Sequence, residues 1–214
     1  QRLDARIPQW DMSSLIERHC PLCSSSGAPF CVRPDNLTVR NCETCGLYFI
    51  SPAPDPAQLD SFYAHYNQRH RRLNDTSAEA VAAIRNAEPL ADLRMAEIAS
   101  LFPDRTQKMA LDVGFGLGSD LFQLHKLGFA VEGIEFDEGA LTFVRTQLGI
   151  STVHKATIDE VQGSYDVIIL HDLVEHPLDP LALLQRATDV LRPGGILSIW
   201  TPNVSHVAQE NEPI

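Results

Sequence analysis

Short apolar runs alternate with amphipathic stretches along the chain from about residue 108 onward. The runs are apolar at successive positions, which is typical of strands buried on both faces, and the stretches between them have helical spacing. This alternation predicts an α/β fold with a parallel sheet covered by helices on both faces. The predicted strands are MALDV (109–113), AVEGIE (130–135), STVH (151–154), YDVIIL (165–170) and ILSIW (196–200).

Capping residues and glycines set the ends of the helices between these strands. One helix runs from Ser119 to Leu127 and is closed by Gly128. The next begins at Asp137 and ends at Gly149. The last predicted helix opens at Asp179-Pro180 and continues to Leu191, after which Pro193-Gly194-Gly195 should turn the chain into the fifth strand.

The first half of the chain lacks this strand-helix alternation. Residues 1–50 are rich in cysteine, and residues 51–105 are predicted to form a linker and a helical cap. Asp55 followed by Pro56 predicts a helix start, and the polar residues 67–76 predict a loop. A helical stretch from about Ser77 to Leu101 should be bent or broken by Pro89.

Composition narrows the class of protein. The 214 residues are 44% apolar, which suffices for a real core, and carry a formal charge of −11, which disfavours nucleic acid and anionic membranes as partners. Neither an 18-residue apolar run nor an apolar leader is present, and we expect a cytoplasmic protein of undetermined oligomeric state. The chain begins with Gln1, so we expect one or both ends to be missing.

A glycine-rich segment, LDVGFGLG (111–118), lies between the first predicted strand and its helix. Gly114 permits a tight turn there, and Gly116 lets the backbone approach a ligand. A dinucleotide fingerprint would require a third glycine at position 119, which is Ser119. Glu135 ends the second strand, where a carboxylate can accept hydrogen bonds from ribose hydroxyls.

With VEGIEFDEGAL, YDVIILHDLVEHPLDP and LRPGGILSIWTPN in the same order, this segment resembles the class I S-adenosylmethionine-dependent methyltransferases over residues 108–203. The resemblance implies a Rossmann-like core over residues 106–214. That family continues to a sixth and a seventh strand, so we expect the last strands to be absent from this sequence. The implied activity is methyl transfer from S-adenosylmethionine, with S-adenosylhomocysteine as product.

The resemblance also assigns roles to residues. It places the methionine end of the cofactor beside the glycine turn and its acidic neighbour, and it places the ribose at Glu135. Adenine is expected between the segments after strands two and three, and His171 at the end of strand four is expected near the sulfonium. The implied cofactor-binding residues are Asp112, Gly114, Phe115, Gly116, Gly118, Glu135, Phe136, Thr157, Ile158 and His171.

The densest polar cluster is HDLVEH (171–176), which we expect to form a short helix with Leu173 and Val174 packed inward. His176 is a candidate general base, because neutral imidazole accepts a proton near pH 7, and His171 is a second catalytic candidate. Alternatively, the D-x-x-E-H spacing resembles that of metal-assisted O-methyltransferases. In that case Asp172, Glu175 and His176 would share a divalent ion.

Four of the five cysteines have the spacing C-x2-C-x18-C-x2-C, formed by Cys20, Cys23, Cys42 and Cys45. Two such pairs predict a tetrahedral zinc site, and a full set of thiolates favours a structural ion. Each pair should make a tight turn with backbone N–H groups facing sulfur. Cys31 is expected to be a buried free thiol.

The pattern CPLC…RNCETCGLYFISPAPDPAQLDSFYAHY resembles the zinc ribbon that begins many bacterial methyltransferases, some of which act on nucleotide-linked deoxysugars. The resemblance implies that the N-terminal part borders the acceptor site, with Tyr63, His65 and Tyr66 as candidate lining residues. Arg69 could meet an anionic group. We therefore expect a small-molecule acceptor, such as a sugar, a nucleotide-linked sugar or a secondary metabolite; a non-catalytic cofactor-binding scaffold is the alternative.

Overall fold

The computed structural model describes residues 7–64, 66 and 77–202, and these form two sheets joined by a helical segment. The first sheet contains β1 (Ala28–Val32), β2 (Thr38–Asn41) and β3 (Tyr48–Ile50), which pair antiparallel in that order. Its small core contains Cys20, Cys42 and Phe49. A bridge between Ile16 and Ala53 closes the base of this ribbon.

The helical segment follows the sequence prediction closely. Helix α1 (Pro56–Tyr63) begins where predicted, because the Asp55 carboxylate accepts a hydrogen bond from the Gln58 backbone at 2.9 Å. The predicted stretch from Ser77 is split into α2 (Ala78–Asn86), a short 3-10 turn at Pro89–Ala91, and α3 (Leu93–Leu101). Pro89 thus breaks the helix as expected, since it lacks the N–H that an uninterrupted helix would need.

The second sheet confirms the predicted parallel α/β core. Its strands are β4 (Met109–Val113), β5 (Ala130–Ile134), β6 (Val153–His154), β7 (Tyr165–His171) and β8 (Leu191–Trp200), arranged in the order β6-β5-β4-β7-β8 with every pair parallel. The helices between them are α4 (Ser119–Lys126), α5 (Glu138–Phe143) with a π turn at Val144–Leu148, and α6 (Pro180–Asp189). Two apolar clusters pack on the two faces of the sheet.

Several boundaries differ from the prediction: the third strand is shorter, at Val153–His154, the last helix ends at Asp189, and the largest difference is at β8. The Pro193-Gly194-Gly195 segment was expected to precede the last strand, whereas β8 already pairs with β7 at Leu191. The register then jumps, because Tyr165 faces Leu191 but Val167 faces Ile196. The extra residues form a bulge that Gly194 accommodates with a φ of 80°.

The strand order places a topological switch beside β4. The chain builds outward from β4 to β5 and β6, and then crosses to β7 on the opposite side of β4. In open parallel sheets, ligands bind outside the carboxyl ends of the strands at such a point. Among the described residues, none of the helices has the length and apolar character needed to cross a bilayer.

Candidate functional site

The glycine turn after β4 requires glycine for two separate reasons. Gly114 and Gly116 have φ values of 72° and 55°, a region that other residues rarely adopt. A Cβ on Gly114 would also lie 3.0 Å from the Leu173 side chain, which belongs to the loop after β7. The turn therefore brings backbone without side chains to the switch point, where the Gly114 N–H donates to the Ile134 carbonyl at 2.8 Å.

Gly118 and Phe115 serve packing as much as the turn itself. A Cβ on Gly118 would lie 2.6 Å from Val144, so glycine lets α4 approach the π turn after α5. The Phe115 side chain is buried and lies against Gly133 of β5. Phe115 therefore presents mainly its backbone at the turn.

Glu135 closes the turn from the end of β5. One carboxylate oxygen accepts a hydrogen bond from the Gly116 N–H at 2.9 Å. The other accepts hydrogen bonds from the N–H groups of Phe136 at 2.7 Å and Asp137 at 3.2 Å. A carboxylate has about four acceptor positions, so this half-buried group retains capacity for a hydroxyl donor.

Asp112 is a buried carboxylate whose position favours a cationic neighbour. Its Oδ2 atom is the only carboxylate oxygen found buried and without a hydrogen-bond partner among the described residues. Burial raises the pKa of Asp112 well above its usual range, and the charges of Asp120 and Glu135 raise it further. Because three acidic groups converge at one turn, a positively charged ligand there would relieve their mutual repulsion.

Arg94, at the start of α3, is a site residue that the sequence analysis missed. Its guanidinium pairs with Asp92 at 2.7 Å and with Asp120 at 3.2 Å, and it lies 5.8 Å from the centre of the Trp200 ring. The guanidinium thus stands at the carboxyl edge of the sheet, beside the glycine turn. No local signal marks it, because its guanidinium also lies 3.2 Å from Nδ1 of His171, which is 77 positions further along the chain.

His171 lies where the sequence analysis expected, but both of its ring nitrogens are engaged. Nδ1 is 2.7 Å from an Asp120 oxygen, and Nε2 is 2.9 Å from the Ser198 hydroxyl. Because a carboxylate can only accept, Nδ1 carries a proton and donates it to Asp120, so the Arg94 guanidinium, 3.2 Å from Nδ1, does not donate to that atom. With its side chain 5% exposed, His171 is suited to fixing Asp120 rather than to moving a proton.

The segment after His171 corrects one prediction. Residues 172–178 form turns rather than the expected short helix. The Asp172 N–H donates to the Trp200 carbonyl at 2.8 Å, and its φ of 50° is incompatible with a right-handed helix. The ligand atoms of Asp172, Glu175 and His176 do not converge, since among the described residues only four cysteines form a metal-competent group.

Tyr63 and His176 meet where α1 covers this loop. Their ring centres are 5.6 Å apart in an edge-to-face arrangement. Tyr66 lies 5.7 Å from Tyr63, and Phe62 links both tyrosines to Trp10. Burial and the neighbouring Tyr66 raise the pKa of Tyr63, so its phenol stays protonated and can donate a hydrogen bond.

The remaining residues predicted to bind the cofactor or the acceptor have fewer side-chain groups available for a ligand. Phe136 is 40% exposed beside Glu135, so its ring is free to cover a ligand. Thr157 is engaged in a capping box with Glu160, and the Ile158 side chain is buried in the core, so both can offer mainly backbone. Arg69 and His65 lie outside the described residues.

The four predicted zinc ligands form a compact cluster. All four Sγ atoms lie within 4.8 Å of one another, with Cys23 and Cys42 at 3.3 Å and Cys20 and Cys45 at 3.5 Å. Four sulfurs around a tetrahedral zinc with Zn–S bonds of about 2.3 Å stand roughly 3.8 Å apart. The cluster therefore fits such an ion closely. Cys31 does not belong to it, and its side chain is half-buried rather than buried as expected, because it lies on β1 of the small ribbon.

Both cysteine pairs make the predicted tight turns. The residue after each pair has positive φ, 60° at Ser24 and 78° at Gly46. Burial opposes ionisation of Cys42, but backbone N–H groups of Cys45 and Thr44 and the neighbouring thiols lower its pKa to about 6. Donors aimed at sulfur stabilise the thiolate, which is the form that binds metal.

Comparison with other proteins gives a consistent family assignment. A family profile described as a methyltransferase domain matches residues 84–213, more than half of the chain. A ubiquinone biosynthesis O-methyltransferase from Hydrogenovibrio crunogenus is 29% identical over 160 residues, covering 70% of this chain and 61% of the relative. The same enzyme from Shewanella halifaxensis is 32% identical over 104 residues, covering 45% and 44%.

Among solved structures, an amino pentose methyltransferase from Micromonospora echinaspora with bound S-adenosylmethionine aligns at 24% identity, with a TM-score of 0.47. The alignment covers 58% of this chain and 56% of that structure. This chain therefore spans about half of the length of the proteins that it matches.

Proposed function

We propose a function from one premise, that this chain belongs to the class I S-adenosylmethionine-dependent methyltransferase family. The proposed activity is transfer of a methyl group from S-adenosylmethionine to a small-molecule acceptor. The observation that carries the proposal is the convergence of Asp112, Glu135 and Arg94 on one glycine turn.

The charges around the turn fit this cofactor. S-adenosylmethionine has a cationic sulfonium, an ammonium, a carboxylate and a ribose diol, and each has a counterpart here. Asp112 and Asp120 favour the cationic groups, the Arg94 guanidinium suits the carboxylate, and Glu135 suits the diol. The unpartnered Oδ2 of Asp112 is what a site built for a positive ligand would contain.

The residues on the opposite side of the turn suit the acceptor. When bound, the cofactor would supply an electrophilic methyl group. The His176 imidazole takes the proton that the acceptor's nucleophile gives up, and the Tyr63 phenol donates a hydrogen bond that orients the acceptor. The aromatic side chains of α1 exclude water from the reacting groups.

We propose an acceptor with a hydroxyl group. The relatives named for ubiquinone biosynthesis are O-methyltransferases by name, and the methyltransferase profile, which matches residues 84–213, includes the loop after β7. A sugar hydroxyl could be placed beside His176 and Tyr63 in the same way. In that case we propose that Arg69 binds an anionic substituent of the sugar.

We further propose that residues 1–50 form a zinc ribbon, that residues 51–105 form its cap, and that residues 106–214 form the cofactor-binding core. Cys20, Cys23, Cys42 and Cys45 hold one structural zinc. Because thiols that bind zinc must remain reduced, we place the protein in the cytoplasm.

Activity is tested with cofactor carrying a radiolabelled methyl group and a panel of catechols, phenols and sugar nucleotides. We expect label in at least one hydroxyl-bearing acceptor, and S-adenosylhomocysteine in equal amount. Stoichiometric cofactor binding without transfer to any acceptor, by a chain extended to the full length of its relatives, would instead support the non-catalytic scaffold.

Replacing Glu135 with alanine should weaken S-adenosylhomocysteine binding roughly 10- to 150-fold. The lost interaction is a charge-assisted hydrogen bond, which contributes about 1.5–3 kcal/mol. Calorimetric titration measures the change. Glu138→Ala is the matched control, because that exposed carboxylate begins α5, three residues after Glu135, and pairs with Lys155. Equal affinity in the two variants would remove Glu135 from the ribose site.

Replacing Arg94 with methionine should weaken binding of the methionine end of the ligand and leave binding of the adenosine end nearly unchanged. Affinity for S-adenosylhomocysteine should fall roughly 10- to 150-fold, while affinity for adenosine, which lacks the carboxylate, should change less than about 2-fold. Competition titration measures both ligands on the same protein. A parallel loss of both affinities would mean that Arg94 holds the fold of the site and not the carboxylate.

A further inference from the structure

Arg18 is the point at which the N-terminal ribbon reaches the loop that carries His176. Its guanidinium donates a hydrogen bond to the backbone carbonyl of Leu178, 160 positions away. Leu178 lies two residues after His176 and directly before Asp179, whose carboxylate caps α6 by accepting from Ala182 at 2.9 Å. The bond thus joins the ribbon to the connection between β7 and α6.

The backbone of Arg18 is itself fixed from the ribbon side. Its N–H donates to the Ser51 hydroxyl at 3.0 Å, and that hydroxyl donates to the Arg18 carbonyl at 2.8 Å. Ser51 is buried. Cys20, two residues after Arg18, belongs to the ribbon core and to the sulfur cluster. The position of Arg18 therefore depends on the order of the ribbon.

The loop of residues 172–178, here called the His176 loop, is contacted by α1 and by the N-terminal ribbon. Tyr63 of α1 contacts the His176 ring on one side, and Arg18 binds the Leu178 carbonyl on the other. The segment has little regular structure of its own, since residues 172–178 form only turns. Loops of this kind open locally unless neighbouring elements hold them.

We propose that Arg18 is a positioning residue that couples metal loading of the ribbon to the order of the His176 loop. The zinc ribbon is then one wall of the acceptor site, while the cofactor side at Asp112 and Glu135 is independent of it. This inference rests on the proposed function only in assigning the loop to the acceptor. The coupling itself is a property of the chain.

Hydrogen exchange of the amides in residues 172–179 measures the loop directly. In the metal-loaded protein, Arg18→Met should raise their exchange roughly 10-fold or more, because a charge-assisted hydrogen bond is lost. Arg18→Lys keeps a cationic donor and should exchange closer to the wild-type rate. Arg40→Met is the matched control, since Arg40 donates to two carbonyls within the ribbon, those of Ser26 and Gly27.

Removing the metal completes the test. Chelation should raise exchange of the loop in the wild-type chain, but it should add little in Arg18→Met, because the link is already broken. S-adenosylhomocysteine affinity should stay within about 2-fold in every form that contains the intact core. Should Arg18→Met fail to fold, Arg18→Gln provides the same comparison.

Wild-type exchange of the loop in folded Arg18→Met, or additive effects of chelation and substitution, would overturn the proposal. So would protein that holds no metal at its cysteines. Because the exchange measurement requires neither cofactor nor acceptor, its outcome is separate from that of the methyl-transfer assay.

Discussion

His176→Ala should lower methyl-transfer turnover roughly 10²- to 10⁴-fold while leaving S-adenosylhomocysteine affinity unchanged, as expected for loss of a general base. The His176 imidazole belongs to the loop after β7, and Leu173 of the same loop packs against the glycine turn at Gly114. The Tyr63 ring lies against the imidazole. Neither ring belongs to the set of carboxylates and Arg94 that we assign to the cofactor. The effect should therefore appear in turnover and not in cofactor binding.

Steady-state kinetics with the identified acceptor measures this result. His125→Ala is the control, because that exposed histidine lies at the far end of α4. If a divalent ion does this work instead, Asp172→Ala and Glu175→Ala should be equally damaging, and chelation should abolish activity. Full activity of His176→Ala would leave alignment of the reacting groups as the source of catalysis.

Cys23→Ser should abolish zinc binding and unfold much of the ribbon. The purified wild-type chain should contain about one zinc, because four thiolates complete a tetrahedral site. Structural zinc contributes roughly 10–16 kcal/mol of apparent free energy in small zinc-binding peptides, so a ribbon with so small a core should not keep its fold without it.

Elemental analysis and hydrogen exchange of residues 7–50 measure both parts of this prediction. Cys31→Ser is the matched control, because Cys31 lies on the same ribbon but outside the sulfur cluster, and it should retain the metal. The core strands β4 and β7 should keep their protection in both variants. A metal-free wild-type protein purified without chelator would contradict the zinc assignment.

The features that the sequence predicted are those encoded within a few residues. The strands around MALDV and YDVIIL, the cap at Asp55 and the break at Pro89 each follow from local pattern or from one side chain's chemistry. The two cysteine turns are equally local, and their spacing sufficed to predict that four sulfurs meet.

The features that the sequence did not predict depend on tertiary contacts. The 172–178 segment is not helical, because the Asp172 N–H continues the pairing with β8, and Pro177 disfavours a helix before it. Arg94 and Arg18 reach their partners across 77 and 160 positions, so no periodicity marks them. The packing of Gly118 against Val144 is a further tertiary contact that the sequence did not predict.

The central claim is that the glycine turn with Asp112, Glu135 and Arg94 binds S-adenosylmethionine and its product. Calorimetric titration of the wild-type chain with S-adenosylhomocysteine, and separately with NAD⁺, tests it most directly, since a glycine turn with a ribose-binding acid could also serve a dinucleotide. We expect saturable binding of about one S-adenosylhomocysteine per chain and none of NAD⁺ at the same concentration. Absence of S-adenosylhomocysteine binding by folded protein, or tighter binding of NAD⁺, would contradict the claim.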